Sequence, residues 1–565
     1  MSATLGISAN YHDAAAALVV DGTLVAAMQE ERFSRIKNDP SLPLSAARAC
    51  LSLARLDAKD LTRVVFYENP YRKLERVLTM SLRTFPRSLS QFPRALASQL
   101  SGKLQVLDEL SSRLGVPRDR VLHREHHESH AASAFFLSPF ERAAVLTVDA
   151  VGEETTTALW LGEGRTLTAL ERIAFPHSLG LLYSALTAWC GFEVNEGEYK
   201  VMGLAAFGQP RFRDEFRKLI TLASDGSFSL GLDFFDSHTN TEVGFSPKLE
   251  ALLGPRRLPG KPWDLTSEAD RRVADVACTL QTVLEEALLG LARRAKERTG
   301  ADALCLAGGV GLNAVANARL ARESGFRDFF VQPAAGDAGA ALGAAILGAL
   351  DSGDARPAPL ERLSLGLPVS SDDARTIAKN LGLVVTPLSG PDDVAELLAK
   401  GEILAFAEGR FEFGPRALGN RSLLALPTPI AVKERLNRVI KRREPFRPFA
   451  PAVLEAEAPK FFEPFAERLA PFMVTVAGVK PEARPSLEAI THVDGTARVQ
   501  TVKADSPFGA IIDAVGRRTG TPVVLNTSLN GKGDPIVGSV ADAFAFFLGH
   551  SADALVVDDV LIRKP

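Results

Sequence analysis

"TLGISANYHDAAAALVVDGTLVAAM", residues 4–28, reads as strand, polar loop, strand, tight turn and strand. The Asp21-Gly22 pair between two apolar runs is a two-residue hairpin signal, because such turns favour residues that tolerate positive φ. A similar grammar returns at 144–173. There "AVLTVDAVG" precedes "TTTALWLGEGRTLTALERI", two β-rich runs joined by Gly-Glu-Gly. The likeness lies in the order of elements rather than in residue identity, and it predicts two related halves within one domain. Between them, residues 41–140 have leucine and alanine at helical periods and read as mostly helical.

Farther along, "RRVADVACTLQTVLEEALLGLARRAKERTG" (271–300) is an amphipathic helix that stops at Gly300, and "ALCLAGGVGLNAVANARL" (303–320) is a buried strand, a glycine-rich turn and a helix. The pattern breaks at "DSGDARPAPLERLSLG", where Pro357 and Pro359 mark a domain boundary near residue 355. The expected division is 1–355 and 356–565, the second part a smaller α/β module. A chain of 565 residues is too long for one hydrophobic core.

Composition excludes some classes. A net charge of -3 gives no general drive toward nucleic acid or membrane, so an anion site must be local. Four widely spaced cysteines form no CxxC pair, which speaks against zinc ribbons and disulfide frameworks. The beginning, "MSATLGISANYHD", lacks the pattern of a signal peptide, and "AGAALGAAILGAL" (338–350) is too short to span a bilayer. A cytoplasmic protein is expected, with no membrane and no nucleic-acid partner. A homo-oligomer is left open.

Four of the nine histidines fall within "HREHHESHAASAF" (123–135). His126 and His130, four apart, share one face of a helix and can bind one metal ion if oxygen ligands arrive from elsewhere. The alternative is a polar helix end whose histidines merely hydrogen-bond. Asp149 ends the strand "VLTVD", and Asp337 stands where "AAGDAGAALG" opens a helix; a turn residue and an N-cap are their ordinary roles. Gly308 and Gly309, followed by Asn313 and Asn317, suit either a nucleotide phosphate or a closely packed turn. From Arg410 to Arg447 there are ten Lys or Arg against three acids. Such a run is a solvated face, an RNA patch, or a set of fixed guanidinium forks. The surrounding Phe, Gly and Pro in "EFGPRALGNRS" and "REPFRPFAP" favour the forks, which suit phosphate or carboxylate. "HVDGTARVQTV" adds Arg498, and "VVLNTSLNGKGDPIV" adds Asn526, Thr527 and Ser528.

These motifs together resemble the O-carbamoyltransferases of the NodU/CmcH type, which include the tobramycin-type enzymes. The resemblance runs end to end through "GISANYHDAAAALVVDG", "QEERFSR", "HHESHAASAF", "GEYKVMGLAAFG", "LAGGVGLNAVAN", "GDAGAALGAA", "EFGPRALGNRS", "REPFRPFAP", "HVDGTARVQTV" and "NTSLNGKGDPIV". It implies an N-terminal domain of the actin-like ATPase (ASKHA) type and a C-terminal domain similar to the threonylcarbamoyl-AMP synthases (YrdC-like). It implies formation of carbamoyl-adenylate from ATP and carbamoyl phosphate, with Mg2+ accompanying the ATP. The carbamoyl group then passes to a hydroxyl of a small molecule, such as an antibiotic or a sugar-containing natural product. Carried over residue by residue, the ligands of an Fe(II)-type metal are His126, His130, Asp149 and Asp337, with His123 and His127 as bystanders. His12 serves as general base or orients the substrate. Lys200, Gly308, Gly309 and Asn313 face the nucleotide, and Lys441, Arg447, Arg498 and Asn526 face carbamoyl phosphate and adenylate, with Arg416 and Arg421 as phosphate partners. Asn10 and Gly311 depart from the residues common in the family, an aromatic and an alanine. Acceptor contacts are expected in 65–120 and 233–247.

Other readings have their own signatures. A tRNA-modifying carbamoyl or threonylcarbamoyl transferase would modify adenosine in RNA. A nucleotide-gated binding protein would bind ATP without carbamoyl-phosphate-dependent turnover, and a sugar kinase would release ADP.

Overall fold

The computed structural model describes all residues except 87, 90, 91, 101 and 237–243, so parts of the two expected acceptor stretches lie outside the described residues. The chain forms two compact units, Met1–Val25 with Pro40–Leu360, and Ala26–Asp39 with Glu361–Pro565. A short piece near the beginning of the chain thus belongs to the second unit, whereas the sequence reading kept all of 1–355 together.

One sheet holds β1 (Ala3–Ser8), β2 (Ala15–Val20), β3 (Thr23–Gln29), β4 (Arg63–Phe66) and β5 (Val121–His123) in the order β3-β2-β1-β4-β5, all in the first unit but for the last four residues of β3. β1 is antiparallel to β2 and parallel to β4, and β4 is parallel to β5. The second sheet holds β6 (Arg142–Val148), β7 (Thr155–Glu163), β8 (Thr166–Ala174), β9 (Ala303–Ala307) and β10 (Asp328–Val331), in the order β10-β9-β6-β7-β8. Its first strand is antiparallel to its second and parallel to its fourth, which is parallel to its fifth. Numbered within each sheet, both orders are 3-2-1-4-5. The two halves heard in the sequence are therefore two copies of one topology. The stretch 41–140, expected to be mostly helical, also contributes β4 and β5.

Each half ends in a helix that packs on the other half's sheet. Helix α1 (His126–Phe135) follows β5 and lies against β6, β7 and β9; helix α3 (Asp337–Asp351) follows β10 and lies against β1, β2 and β4. A third helix, α2 (Ala314–Glu323), links β9 to β10. α1 and α3 pack on each other, giving the layers sheet, α3, α1, sheet. Small residues permit this spacing. A Cβ at Gly343 of α3 would collide with the Ser129 carbonyl of α1, so alanine there would force the helices apart. α3 is buried on all sides from Asp337 to Ala349, which explains its uniformly apolar composition. Among the described residues no helix is long and apolar enough to cross a membrane.

The second unit is built on an eight-stranded mixed sheet. Its strands are β11 (Val384–Pro387), β12 (Leu404–Ala407), β13 (Arg421–Ala425), β14 (Ala450–Leu454), β15 (Gln500–Val502), β16 (Val523–Ser528), β17 (Ala554–Val557) and β18 (Val560–Arg563). Their order is β11-β18-β17-β12-β13-β16-β14-β15. Strand periodicity feeds two cores. Leu404 and Phe406 of β12 join one with Leu398, Ile512 and Val515; Ala405 and Ala407 join the other with Ala378, Phe544 and Phe547. Both faces of the sheet are covered, so its polar residues gather at strand ends and loops.

Candidate functional site

The layer of paired helices brings the predicted ligands together. His126 is the first residue of α1, Asp337 the first of α3, and Asp149 follows the last residue of β6. One ligand atom from each of His126, His130, Asp149 and Asp337 lies within 4.8 Å of all the others, and all four residues are buried. His126 Nε2 and His130 Nε2 each stand 3.0 Å from Asp149 Oδ2 and 3.0 Å from each other. Asp337 Oδ1 is 3.6 Å from His130 Nε2 and 3.8 Å from His126 Nε2. The carboxylates are aimed from behind. Asp149 Oδ1 accepts the N–H groups of Ala150 (2.8 Å) and Gly309 (3.2 Å), and Asp337 Oδ2 accepts the Tyr67 hydroxyl at 3.3 Å.

This donor set fits a cation. The Nδ1 atoms of both imidazoles are buried without a hydrogen-bond partner. Protons placed there are unsatisfied, and the two Nε2 lone pairs then face each other and two carboxylates. Protons placed on both Nε2 atoms crowd the same small space. A divalent ion bound by two imidazoles and two carboxylates removes the conflict, and that mixture of N and O donors suits a first-row transition metal. Without such an ion, a shared proton does the same work: burial opposes a charged His130, yet Asp149 and Asp337 raise it to about 9.

His12 sits on the β1–β2 loop, between the left-handed residues Asn10 (φ 73°) and Asp13 (φ 53°), with Nδ1 3.0 Å from Asp13 Oδ2. Burial opposes its charge, but Asp337, Asp13 and Asp149 outweigh it and raise the imidazole to about 10. Protonated, His12 is no base; engaging Asp149 and Asp337 with a cation removes much of that field. His127 faces away from the ligands, its ring nitrogens on Thr147 Oγ1 (2.8 Å) and the Thr155 carbonyl (2.9 Å), and His123 ends β5. Both stand outside the ligand set.

Glu153 and Tyr67 escaped the sequence reading. The Glu153 carboxylate accepts the N–H of His126 (2.9 Å) and of Asn69 (2.7 Å), fixing the start of α1. Its position four residues after Asp149 was the one local signal; nothing marked Tyr67. Gly308, at φ +89°, lets the turn after β9 press on β6, where a Cβ would collide with the Val148 carbonyl. Gly309 holds Asp149. Asn313 caps α2 through the N–H of Ala316 (3.0 Å) and pairs with Gln281. These three therefore have structural work whether or not a nucleotide comes near. Lys200, on the helix Glu198–Ala205, has its ammonium 5.7 Å from the Phe192 ring centroid.

The second unit gathers cations. Burial holds Arg498 well below the usual guanidinium range, and Arg416, Arg443 and Arg447 press it further the same way; burial, Arg443 and Arg447 do the same to Lys441. Arginine does not give up its proton in a protein, so such crowding calls for an anion. Asn526 adjoins the group, donating to Gln500 Oε1 (2.8 Å) and the Ala417 carbonyl (3.2 Å) and leaving Oδ1 buried without a partner. Arg443 adds charge beside the predicted set, with its Nε on Asn437 Oδ1 (2.7 Å), Nη2 on the Pro448 carbonyl (3.3 Å) and its guanidinium over the Phe449 ring. Arg421 is a correction: both terminal nitrogens of its buried guanidinium are spent on the carbonyls of Glu408, Gly409, Asn420 and Leu367, so it braces the fold instead of meeting phosphate. Lys441 is a partial one, since its ammonium is held by the Ser528 carbonyl and by Asn530 O (2.9 Å) and Oδ1 (2.8 Å).

Comparison with known proteins bears on both units. Residues 3–346 match the family described as carbamoyltransferase N-terminus, and residues 395–564 match carbamoyltransferase C-terminus. An uncharacterised protein of Synechocystis is 40% identical over all of this chain and 97% of its own length. Nodulation protein NolNO of Sinorhizobium fredii is 38% identical over 98% of this chain and 79% of its own. Nodulation protein NolO of Bradyrhizobium diazoefficiens is 40% identical over 78% of each. Among solved structures, component A of the Acidaminococcus fermentans (R)-2-hydroxyglutaryl-CoA dehydratase aligns with 62% of this chain and all of its own at 14% identity, with a TM-score of 0.34. That likeness is too weak to weigh. The two family matches, together spanning nearly the whole chain, establish that this protein belongs to the carbamoyltransferase family and is a transferase enzyme.

Proposed function

We propose that the enzyme is an ATP-dependent O-carbamoyltransferase that works in two half-reactions. In the second unit, carbamoyl phosphate and ATP yield carbamoyl-adenylate; in the first, its carbamoyl group passes to a hydroxyl of a small-molecule acceptor. The observation that carries this reading is the presence of two polar clusters of opposite need, one built for a cation and one for an anion. The repeated 3-2-1-4-5 topology supports an actin-like first unit, and the mixed sheet with its cation-rich loops supports a threonylcarbamoyl-AMP-synthase-like second unit.

Bond accounting constrains the first step. An adenylate formed with loss of pyrophosphate needs a carboxyl oxygen as nucleophile at the α-phosphorus. Water must therefore first split carbamoyl phosphate into carbamate and inorganic phosphate. Arg416, Arg443, Arg447 and Arg498 hold the anions and offset charge as it moves. In the transfer step, the acceptor oxygen attacks the carbamoyl carbon and AMP leaves. His126, His130, Asp149 and Asp337 would hold a divalent transition metal, which supplies Lewis acidity toward phosphate or carbonyl oxygen. His12 takes the hydroxyl proton at Nε2 or orients the acceptor, with Asp13 steadying Nδ1.

The test is mass spectrometry of products from ATP, carbamoyl phosphate and a panel of aminoglycosides, macrolides, cephems and chitooligosaccharides. The reading expects AMP, pyrophosphate, inorganic phosphate and a carbamoylated acceptor. ADP as the main nucleotide product would refute it.

A further inference from the structure

We propose that "QEERFSR", residues 29–35, is a positioning strap that holds the loops flanking the second unit's anion site. The inference rests on the reading of that cation cluster as the carbamoyl-phosphate site. This motif lies within Ala26–Asp39, the early segment that belongs to the second unit. Gln29, Glu30, Glu31 and Arg32 are all buried there.

The strap grips one loop beside Arg416. Gln29 Oε1 accepts the N–H of Gly414 at 3.2 Å, and Arg32 Nη2 donates to the Gly414 carbonyl at 2.8 Å and to Gln29 Oε1 at 3.3 Å. Both polar groups of the Gly414 backbone are thus held two residues before Arg416. The far side of the same loop is fixed from within the C-terminal sequence. Glu412 Oε1 accepts the N–H groups of Leu418 (2.7 Å), Asn420 (2.7 Å) and Arg421 (3.3 Å), while Gln500 and Asn526 donate to the carbonyls of Leu418 and Ala417. Arg416 hangs between two anchored ends, and one anchor is the strap.

The strap also grips the loop that steadies Lys441. Arg35 donates through Nη1 to the Ile536 carbonyl (2.8 Å) and through Nη2 to the Pro535 carbonyl (2.9 Å), and its Nε stands 3.5 Å from Asp542 Oδ1. Asn530, at the start of that loop, receives the Lys441 ammonium. Arg35 makes these bonds from a left-handed backbone position (φ 60°), and Gly538 packs so closely on Arg32 that a Cβ there would meet its carbonyl at 2.7 Å. One heptapeptide thereby fixes both loops. Guanidinium forks recognise phosphate only when their origin is fixed, and a misplacement of about 1 Å can cost on the order of a hundredfold.

The experiment is calorimetric titration of carbamoyl phosphate, and separately inorganic phosphate, into the full-length enzyme, with metal content measured on the same samples. Arg32→Gln should weaken binding on the order of tenfold to a hundredfold and leave metal content as in wild type. Because Arg32 acts through the Arg416 loop, adding Arg32→Gln to Arg416→Ala should cost no more than about a further twofold. Arg35→Gln, whose side chain is 31% exposed, replaces it if Arg32→Gln does not fold, and its cycle is run against Lys441→Ala. Arg35→Lys should recover part of the loss. Strap variants that bind as wild type, or losses that add in full to those of the loop variants, overturn the strap. If neither wild type nor any variant binds either anion, the carbamoyl-phosphate reading falls first and the strap's role with it.

Discussion

The two polar clusters are opposites in what they lack. In the first unit, lone pairs are in excess: two imidazoles and two carboxylates converge within 4.8 Å. In the second, positive charges outnumber negative ones: burial and neighbouring cations burden both Arg498 and Lys441, and Glu444 stands against Arg447 at 3.6 Å. On the proposed reading each cluster takes an ion of the other sign, because buried charge is tolerated only when compensated. The comparison teaches that a ligand can be inferred from an unbalanced site, where a balanced one reads as structure. Arg421, equally buried but with both terminal nitrogens engaged by backbone carbonyls, is the more balanced counterexample.

The largest expected effect comes from unbalancing the first cluster further. Asp337→Ala removes a proposed ligand held by Tyr67, and metal content should fall to a small fraction of wild type by plasma mass spectrometry. The loss should exceed the roughly 10–100-fold in affinity that follows removal of an outer-shell partner. Acceptor carbamoylation should fail, while carbamoyl-phosphate-dependent pyrophosphate release persists. His127→Ala is the contrast. It should lower thermal stability, because it removes two buried hydrogen bonds, to Thr147 Oγ1 and to the Thr155 carbonyl, and leaves a cavity where the ring packed, yet keep the metal. Equal metal loss in both variants would erase the distinction between ligand and bystander.

Next in size is Arg498→Ala. Truncating one member of a buried, charge-paired set costs about 2–5 kcal/mol, so pyrophosphate release should nearly vanish. Metal content should not change, and carbamoyl-adenylate supplied from outside should still be consumed. If Arg498→Ala and Asp337→Ala lose both half-reactions equally, the assignment of one half-reaction to each cluster is wrong.

Parts of this were legible in the sequence, and the reasons are physical. The hairpins of both halves announced themselves through Asp21-Gly22 and the Gly-Glu-Gly turn, whereas β4 and β5 are too short, at four and three residues, to rise above helical surroundings. His126 and His130 are neighbours by helical period, but Asp149 and Asp337 come from a strand end and a distant helix, and only resemblance joined them to the pair. Among the arginines, sequence cannot tell whether the donors are already spent. Arg421 and Arg416 share one motif, yet only the fold shows that Arg421 is bound to four backbone carbonyls. "QEERFSR" stood out as a motif, but Arg32 and its Gly414 partner are 382 positions apart, beyond any local pattern.

A smaller effect sharpens the first cluster. His130, raised to about 9 in the ion-free site, must lose its proton to bind metal. Metal affinity should therefore climb with pH up to about 9, by roughly tenfold per unit for each proton displaced. The ion-free protein should show the reverse trend. A raised imidazole stabilises the fold fully below its unfolded value of about 6.5, and that contribution fades as pH rises through about 9. Metal titrations at pH 6, 7 and 8 with matched melting curves would show the two slopes, and a flat affinity profile would mean that protons and metal do not compete there.

The smallest effect lies in the second unit, at a carboxylate that no anion site needs. Burial, together with Asp558, raises Glu408 to about 7, with Arg421 opposing. The Arg421 guanidinium donates to the Glu408 backbone carbonyl, so its charge is near but its hydrogen bonds are spent on backbone. The sign follows from linkage. A carboxyl raised in the folded state contributes stability that is complete below its unfolded value near 4.5 and is lost as pH rises through about 7. At pH 8 the ionised Glu408 is therefore a cost, and Glu408→Gln, which keeps shape and removes the charge, should melt higher by about a few degrees. At pH 5 most of that difference should be gone, since Glu408 is then neutral in the folded protein and only its unfolded form ionises. An equal shift at both pH values would trace the gain to packing, and a loss at pH 8 would show that the ionised carboxylate is compensated in the way the two functional clusters are not.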